Sequence, residues 1–113
     1  MTEQSITAAQ YAENVAVQLR KGFLAYCVLR VCRTPAYTSD IIVTLRGAEM
    51  VVVEGTIYPL LSRLQKDGLL EHEWKESDQG PPRKYYKTTP YGADVMKKIS
   101  ESINRLNSTL EKL

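Results

Sequence analysis

Few side chains in this chain are suited to catalysis. His72 is the single histidine, and the two thiols, Cys27 and Cys32, lie five positions apart in an apolar stretch. One imidazole and that thiol spacing cannot assemble a tetrahedral metal site. Nor do the cysteines form a CxxC redox pair or a disulfide framework, so both read as reduced, small buried hydrophobes. Glu71, Glu73 and Glu76 lie on a stretch of strand character, where charges are solvated edges rather than a catalytic carboxylate pair. No serine sits in a nucleophile elbow and no glycine-rich loop follows a strand. The expectation is a protein without catalysis, metal or cofactor.

A second group of residues has different chemistry. Thr56, Tyr58, Pro59, Ser62, Arg63 and Lys66 fall within one helical segment that contains no acid from Gly55 to Lys66. Arg83-Lys84 follows a turn further on. Hydroxyls, an aromatic ring and long cations, displayed together, are donors suited to phosphate oxygens and to base edges.

The elements that must hold these residues can be read around them. Val15, Leu19, Phe23, Cys27 and Val31 recur at spacings of four, predicting a helix over Val15–Cys32, with Gly22 as a weak point. Ala8, Tyr11 and Ala12 extend the stripe upstream, consistent with a separate N-terminal helix from about Thr7. After Thr34-Pro35, Thr38 or Ser39 caps a second helix with Ile41, Ile42 and Leu45 inward and Gly47 as its stop. Val51–Val53 reads as a short extended run. Thr56 is the expected cap of the third helix, placing Pro59 in its first turn; Ile57, Leu60, Leu61 and Leu64 face inward and Gly68 ends it.

Leu69–Glu76 and Arg83–Thr88 read as two strands joined by the Ser77–Pro82 turn. Leu70, His72 and Trp74 share one side; Trp74 is expected in the core and His72 on the surface. Tyr85 and Tyr86 point to opposite faces, one to the core and one along the hairpin. Thr89 caps the last helix with Pro90 in first position. Along it Met96, Ile99, Ile103, Leu106, Leu110 and Leu113 are spaced 3, 4, 3, 4, 3, a heptad seam.

Composition sets the limits. At 113 residues, 43% hydrophobic and 25% charged, the chain has room for one folded domain and lacks the signature of disorder. A net charge of +2 does not by itself diagnose a polyanion partner. The polar stretch Met1–Gln10 lacks the pattern of a signal peptide, and Phe23–Cys32, broken by Arg30, is too short to span a bilayer. A cytoplasmic protein with no membrane association is expected.

The order helix, helix, short strand, helix, hairpin describes a mainly α fold with a small β-hairpin (α+β), a winged helix-turn-helix followed by one more helix. Residues 1–88 would form the N-terminal helix and the winged unit, and residues 89–113 a helix whose seam pairs with a second copy.

Three blocks carry a resemblance: Gly55-Thr56-Ile57-Tyr58-Pro59-Leu60-Leu61-Ser62-Arg63-Leu64, Asp67-Gly68-Leu69-Leu70, and Gly80-Pro81-Pro82-Arg83-Lys84-Tyr85-Tyr86, continued by Thr89 and Gly92. Over roughly residues 20–95 the chain resembles PadR-family transcriptional regulators, in the compact branch with one short last helix. The resemblance implies a dimeric regulator of transcription, usually a repressor, binding a pseudo-palindrome in double-stranded DNA and often relieved by a small aromatic or amphipathic effector. It also implies dimers that interlock through the first and last helices. Tyr58, Arg63, Arg83 and Lys84 are the foremost DNA contacts on this resemblance, with Tyr37, Thr38, Thr56, Pro59, Ser62 and Lys66 beside them. Two departures bear on it. Residues 91–113 contain no tryptophan and only Tyr91 is aromatic, against drug binding by stacking. Ala36-Tyr37-Thr38-Ser39 stands where the family has a Gly-Tyr pair. The alternative is a winged helix that docks a protein partner without touching DNA.

Overall fold

The computed structural model describes residues 5–113; Met1–Gln4, the start of the polar N-terminal stretch, lie outside them. The elements are α1 (Ala8–Val31), β1 (Ala36–Tyr37), α2 (Thr38–Gly47), α3 (Glu54–Lys66), β2 (Leu70–Ser77), β3 (Gly80–Thr88) and α4 (Pro90–Glu111). The three strands form an antiparallel sheet in the order β1-β3-β2.

Helix α1 is one unbroken element, not two, and Gly22 lies inside it. Thr7 caps it, its hydroxyl accepting from the Gln10 amide at 3.1 Å. The side chains it buries are Leu24, Tyr26, Val28 and Leu29, not the expected four-spaced stripe. Val15, Leu19 and Phe23 are exposed, and Cys27 and Val31 are half-buried. The reason is local: from Phe23 to Cys32 almost every residue is apolar, so periodicity cannot tell which stripe faces the core.

The core gathers Leu24, Val28, Leu29 and Cys32 from the first helix and its end, Ile41, Ile42 and Leu45 from α2, and Ile57, Leu60, Leu61 and Leu64 from α3. Leu70 and Tyr86 close it from the sheet. Both cysteines are free, Cys32 buried and Cys27 half-buried. Burial pushes the Cys32 thiol up to about 12, so it stays protonated and inert.

Several boundaries differ from the sequence reading. The cap of α2 is Tyr37, one residue before Thr38, because Tyr37 is still held in the sheet opposite Tyr85. Its terminus uses Glu49 in place of Gly47: Glu49 takes a left-handed φ of 66°. The Met50 amide donates to Leu45 O and the Glu49 amide to Arg46 O, both at 2.9 Å, which completes a Schellman closure. At the end of α3, Gly68 takes this role as expected, at φ 81°. Val51–Val53 is extended but belongs to no strand, and the third strand is Ala36–Tyr37.

The largest shift is at α3, which begins at Glu54 with Val53 as its cap, so Thr56 is not the cap and Pro59 is interior. Two contacts fix that early start. The Thr56 and Ile57 amides donate to Val53 O, and Arg46 donates through Nε and Nη2 to Val52 O at 3.2 and 3.0 Å. Pro59 then leaves the Gly55 carbonyl without its intrahelical donor, on the helix face turned away from the core.

Trp74 is the other correction. It is 63% exposed, not in the core. The base of the hairpin reaches the core through Leu70 and Tyr86, while β2 from Glu71 to Glu76 is exposed along its length.

Helix α4 is seated by close backbone approach at Gly92. A Cβ built there would lie 2.2 Å from the Leu69 carbonyl oxygen and 2.9 Å from Thr88 Cγ2. Gly92→Ala should therefore cost about 2–3 kcal/mol through overpacking against backbone that cannot yield. Urea unfolding followed by circular dichroism checks this; a midpoint equal to the native one would mean that α4 is seated differently.

Candidate nucleic-acid interface

Helix α3 presents its inner stripe to α1, α2 and β2, and this packing dictates what remains outside. Thr56, Tyr58, Pro59, Ser62, Arg63 and Lys66 are all exposed. At about 100° per residue Ser62 and Lys66 lie opposite the buried stripe, while Tyr58 and Arg63 stand on opposing flanks. Lys66 and Arg63 also fall in the last turn, where cations complement the helix dipole.

The Arg63 flank meets α1. Lys21, Leu24, Thr56, Pro59, Leu60 and Arg63 line one open cleft, so α1 adds an ammonium group to the hydroxyl and guanidinium of α3. Lys21 was missed by sequence reasoning. Its only signal is the packing of α1 across α3, which no local pattern encodes.

The register of the hairpin separates Arg83 from Lys84. Trp74 pairs with Lys84 and His72 with Tyr86, while Lys75 pairs with Arg83 and Glu73 with Tyr85. Paired residues share a face and neighbours alternate, so Arg83 and Lys84 point to opposite sides of the ribbon. Each is held over a ring. The Arg83 guanidinium carbon lies 4.8 Å from the Tyr37 centroid, and Lys84 Nζ lies 5.2 Å from that of Tyr86. Tyr37 in turn meets Tyr85 edge to face at 5.3 Å. These contacts limit the rotamer freedom of two long cations without pairing them with acids.

Tyr37 and Thr38 are half-buried at the start of α2, where the Asp40 carboxylate accepts from the Tyr37 amide at 3.4 Å. Tyr37 thus joins Arg83 rather than α3. The structure gathers the site residues in three groups: α3 with Lys21, Tyr37 with Arg83, and Lys84 with Tyr86. Among the described residues no group of three or more histidine, cysteine or acidic side chains could hold a metal ion.

The dimerisation candidates divide along α4. Met96 is packed against the chain's own core, and Ile99 and Ile103 are half-buried. Leu106, Leu110 and Leu113 are exposed, Leu113 at 96%.

The model of the Transcriptional regulator PadR-like family matches residues 28–98, which run from the core turns of α1 through the wing into α4. The chain belongs to the PadR-like family of transcriptional regulators. This PadR-like protein is 51% identical to a PadR-like transcription factor from Bacteroides fragilis, covering 88% of this chain and 97% of that one with a TM-score of 0.76. A PadR family transcriptional regulator from Eggerthella lenta is 32% identical, with 92% of each chain covered and a TM-score of 0.83. A PadR-like regulator from Bacillus cereus is 33% identical over 84% of this chain and 94% of its own, at a TM-score of 0.74. No curated protein matches the chain. The fold of this PadR-like protein, four helices with a three-stranded antiparallel sheet, is the winged helix expected from its sequence. Among the described residues no helix is long and apolar enough to cross a membrane.

The stacked pairs have a measurable worth. Tyr37→Ala, which removes the ring beneath Arg83 and the edge against Tyr85, should lower stability by about 1–2 kcal/mol. Chemical denaturation provides the check, and a loss below about 0.3 kcal/mol would show that the wing is not braced by this ring.

Proposed function

We propose that this PadR-like regulator is a homodimeric repressor that binds a pseudo-palindromic operator in double-stranded DNA. Helix α3 enters the major groove and the β2–β3 wing follows the backbone beside it. The observation that carries this reading is the outer face of α3: exposed hydroxyls, an aromatic and two cations, acid-free from Gly55 to Lys66, next to a wing whose cations are braced on rings. Thr56, Pro59, Ser62, Arg63 and Lys66 meet phosphates and base edges from α3. Tyr58 works from the other flank, and Tyr37, Thr38, Arg83 and Lys84 from the start of α2 and the wing.

Two quantities support the homodimer. The chain exposes 8474 Å², well above the roughly 6,300 Å² expected of a compact chain of this mass. Its radius of gyration is 17.4 Å, against about 13 Å for a compact domain of this length. Bare apolar side chains gather on two arms. The first half of α1 leaves Tyr11, Val15, Leu19 and Phe23 bare, and the end of α4 leaves Leu106, Leu110 and Leu113 bare. A second copy covering both arms would bury apolar surface that no single chain can shelter. In this arrangement residues 89–113 form the dimerisation helix of a chain whose residues 1–88 carry the reading head. Met96 anchors that helix internally, while Ile99, Ile103 and the three exposed leucines face the partner.

Leu106→Glu should leave the fold intact, because the residue is exposed, yet halve the mass measured by light scattering at micromolar concentration. A variant still dimeric would remove the α4 seam from the interface. Hydroxyl-radical footprinting on the chain's own upstream DNA should give two protected half-sites about 34 Å apart or a multiple of it. Arg63→Ala should reduce the dependence of log K on log salt by about 0.9 for a lost phosphate contact, or relax base preference for a lost base contact. A single unpaired half-site at saturation contradicts the dimeric reading head. No duplex binding at low salt would favour a protein-docking winged helix instead.

A further inference from the structure

The chain's one tryptophan lies where apolar surface is hardest to justify. Trp74 projects from β2 four residues beyond Leu70, about 13 Å along the strand, and is 63% exposed. Side chains on a ribbon alternate, so the register sorts everything between the hairpin base and the irregularity at Lys75/Ser77 onto two faces.

One face carries Glu71, Glu73, Lys75, Arg83, Tyr85 and Lys87. Its charges are mixed and partly self-neutralised: Lys75 pairs with Glu73 at 3.5 Å, and Glu71 lies opposite Lys87. The other face carries Leu70, His72, Trp74, Lys84, Tyr86 and Thr88 and has no acid. This second face is the one that packs on the helices, since Leu70 and Tyr86 belong to the core. Its free outer part therefore lies on the side of the sheet where α3 packs. The acids that make residues 51–88 neutral overall sit, within this stretch of ribbon, on the side turned away from α3.

Resting on the DNA-binding reading above, we propose that Trp74 is a DNA contact of the wing. Its indole packs on the sugar–phosphate edge of the groove beside α3, and Lys84 across the strand supplies the phosphate charge. A duplex seated on the outer face of α3 meets this side of the wing, which is free of acids between Leu70 and Trp74 and between Lys84 and Thr88, and where the ammonium of Lys84 is held in place over Tyr86. A flat apolar side chain next to a fixed cation suits a sugar–phosphate edge or an opened base step, both of which offer apolar surface beside negative charge. Arg83, on the opposite face and stacked on Tyr37, meets the duplex together with the start of α2. The two adjacent cations therefore approach the duplex from opposite faces of the wing.

Because Trp74 is the only tryptophan, its emission reports on the wing alone. The full chain is titrated with a mixed-sequence duplex at low ionic strength, following tryptophan emission and, in parallel, anisotropy of labelled duplex. Saturable quenching or a blue shift in step with the anisotropy is expected. Trp74→Ala should weaken duplex binding about tenfold with an unchanged salt slope, and Trp74→Phe should restore part of the loss. Lys84→Ala should instead lower the salt slope by about 0.9. Duplex binding by the native chain with steady emission, or with undiminished affinity in Trp74→Ala, overturns the wing contact and leaves the DNA reading standing. An emission change that follows protein dilution rather than duplex assigns the indole to the interface between copies and likewise overturns it. Absence of duplex binding by the native chain removes both.

Discussion

Two adjacent threonines at the end of the hairpin hold the separate parts of this protein in one frame. The Thr88 amide donates to Cys32 O and its hydroxyl to Leu29 O, both at 2.8 Å, tying β3 to the end of α1. The Thr89 hydroxyl donates to Gly68 O at 2.6 Å and accepts from the Gly92 amide at 2.9 Å, while the Thr89 amide donates to Leu69 O at 3.1 Å. The end of α1, the turn after α3, the last strand and the start of α4 thus meet within two residues. Carbonyls at helix ends need donors from outside the helix, and here those donors also set the angles between elements. With the wing and α4 both leaving from this junction, the position of each relative to α3 is fixed at one place.

Around that junction the molecule divides its surface by task. The inner faces of the helices and the base of the ribbon form a small apolar core that contains no buried polar or charged residue. What lies outside that core is sorted. Cations and hydroxyls line the outer face of α3, the wing adds Arg83 and Lys84 beside a mixed-charge face, and bare apolar side chains line the free ends of α1 and α4. The second set is apolar surface that water disfavours, whereas the first set is at ease in water. One short sequence can carry both sets because a helix or ribbon shows different chemistry on each face.

The cations of the wing illustrate how positioning is achieved without a counter-ion. A carboxylate partner would order Arg83 or Lys84 but neutralise it. An aromatic face orders the cation and leaves its charge available. Tyr37, Tyr85 and Tyr86 therefore link the sheet to electrostatics: Tyr86 fills the core with its ring and supports Lys84 with its outer side.

Much of this was already legible in the linear chain. The inward stripe of α3, Gly68 at its end, the Thr89-Pro90 start of α4 and the two hairpin strands all follow from local periodicity and end chemistry, which depend on near neighbours. The blocks around Tyr58 and Arg83 carried the family in the same way. Other features came only from tertiary structure. The buried stripe of α1 was ambiguous because its neighbours are apolar all round, and it was chosen by what α2 and α3 offered to pack against. The start of α3 moved three residues upstream because Arg46, on another helix, holds the Val52 carbonyl. Trp74 lies outside because the ribbon outruns the helices, and Arg83 and Lys84 part company because cross-strand register assigns each a face. Sequence determined the elements and their chemistry, since those are short-range; the packing between distant segments decided which side of each element faces protein, solvent or partner.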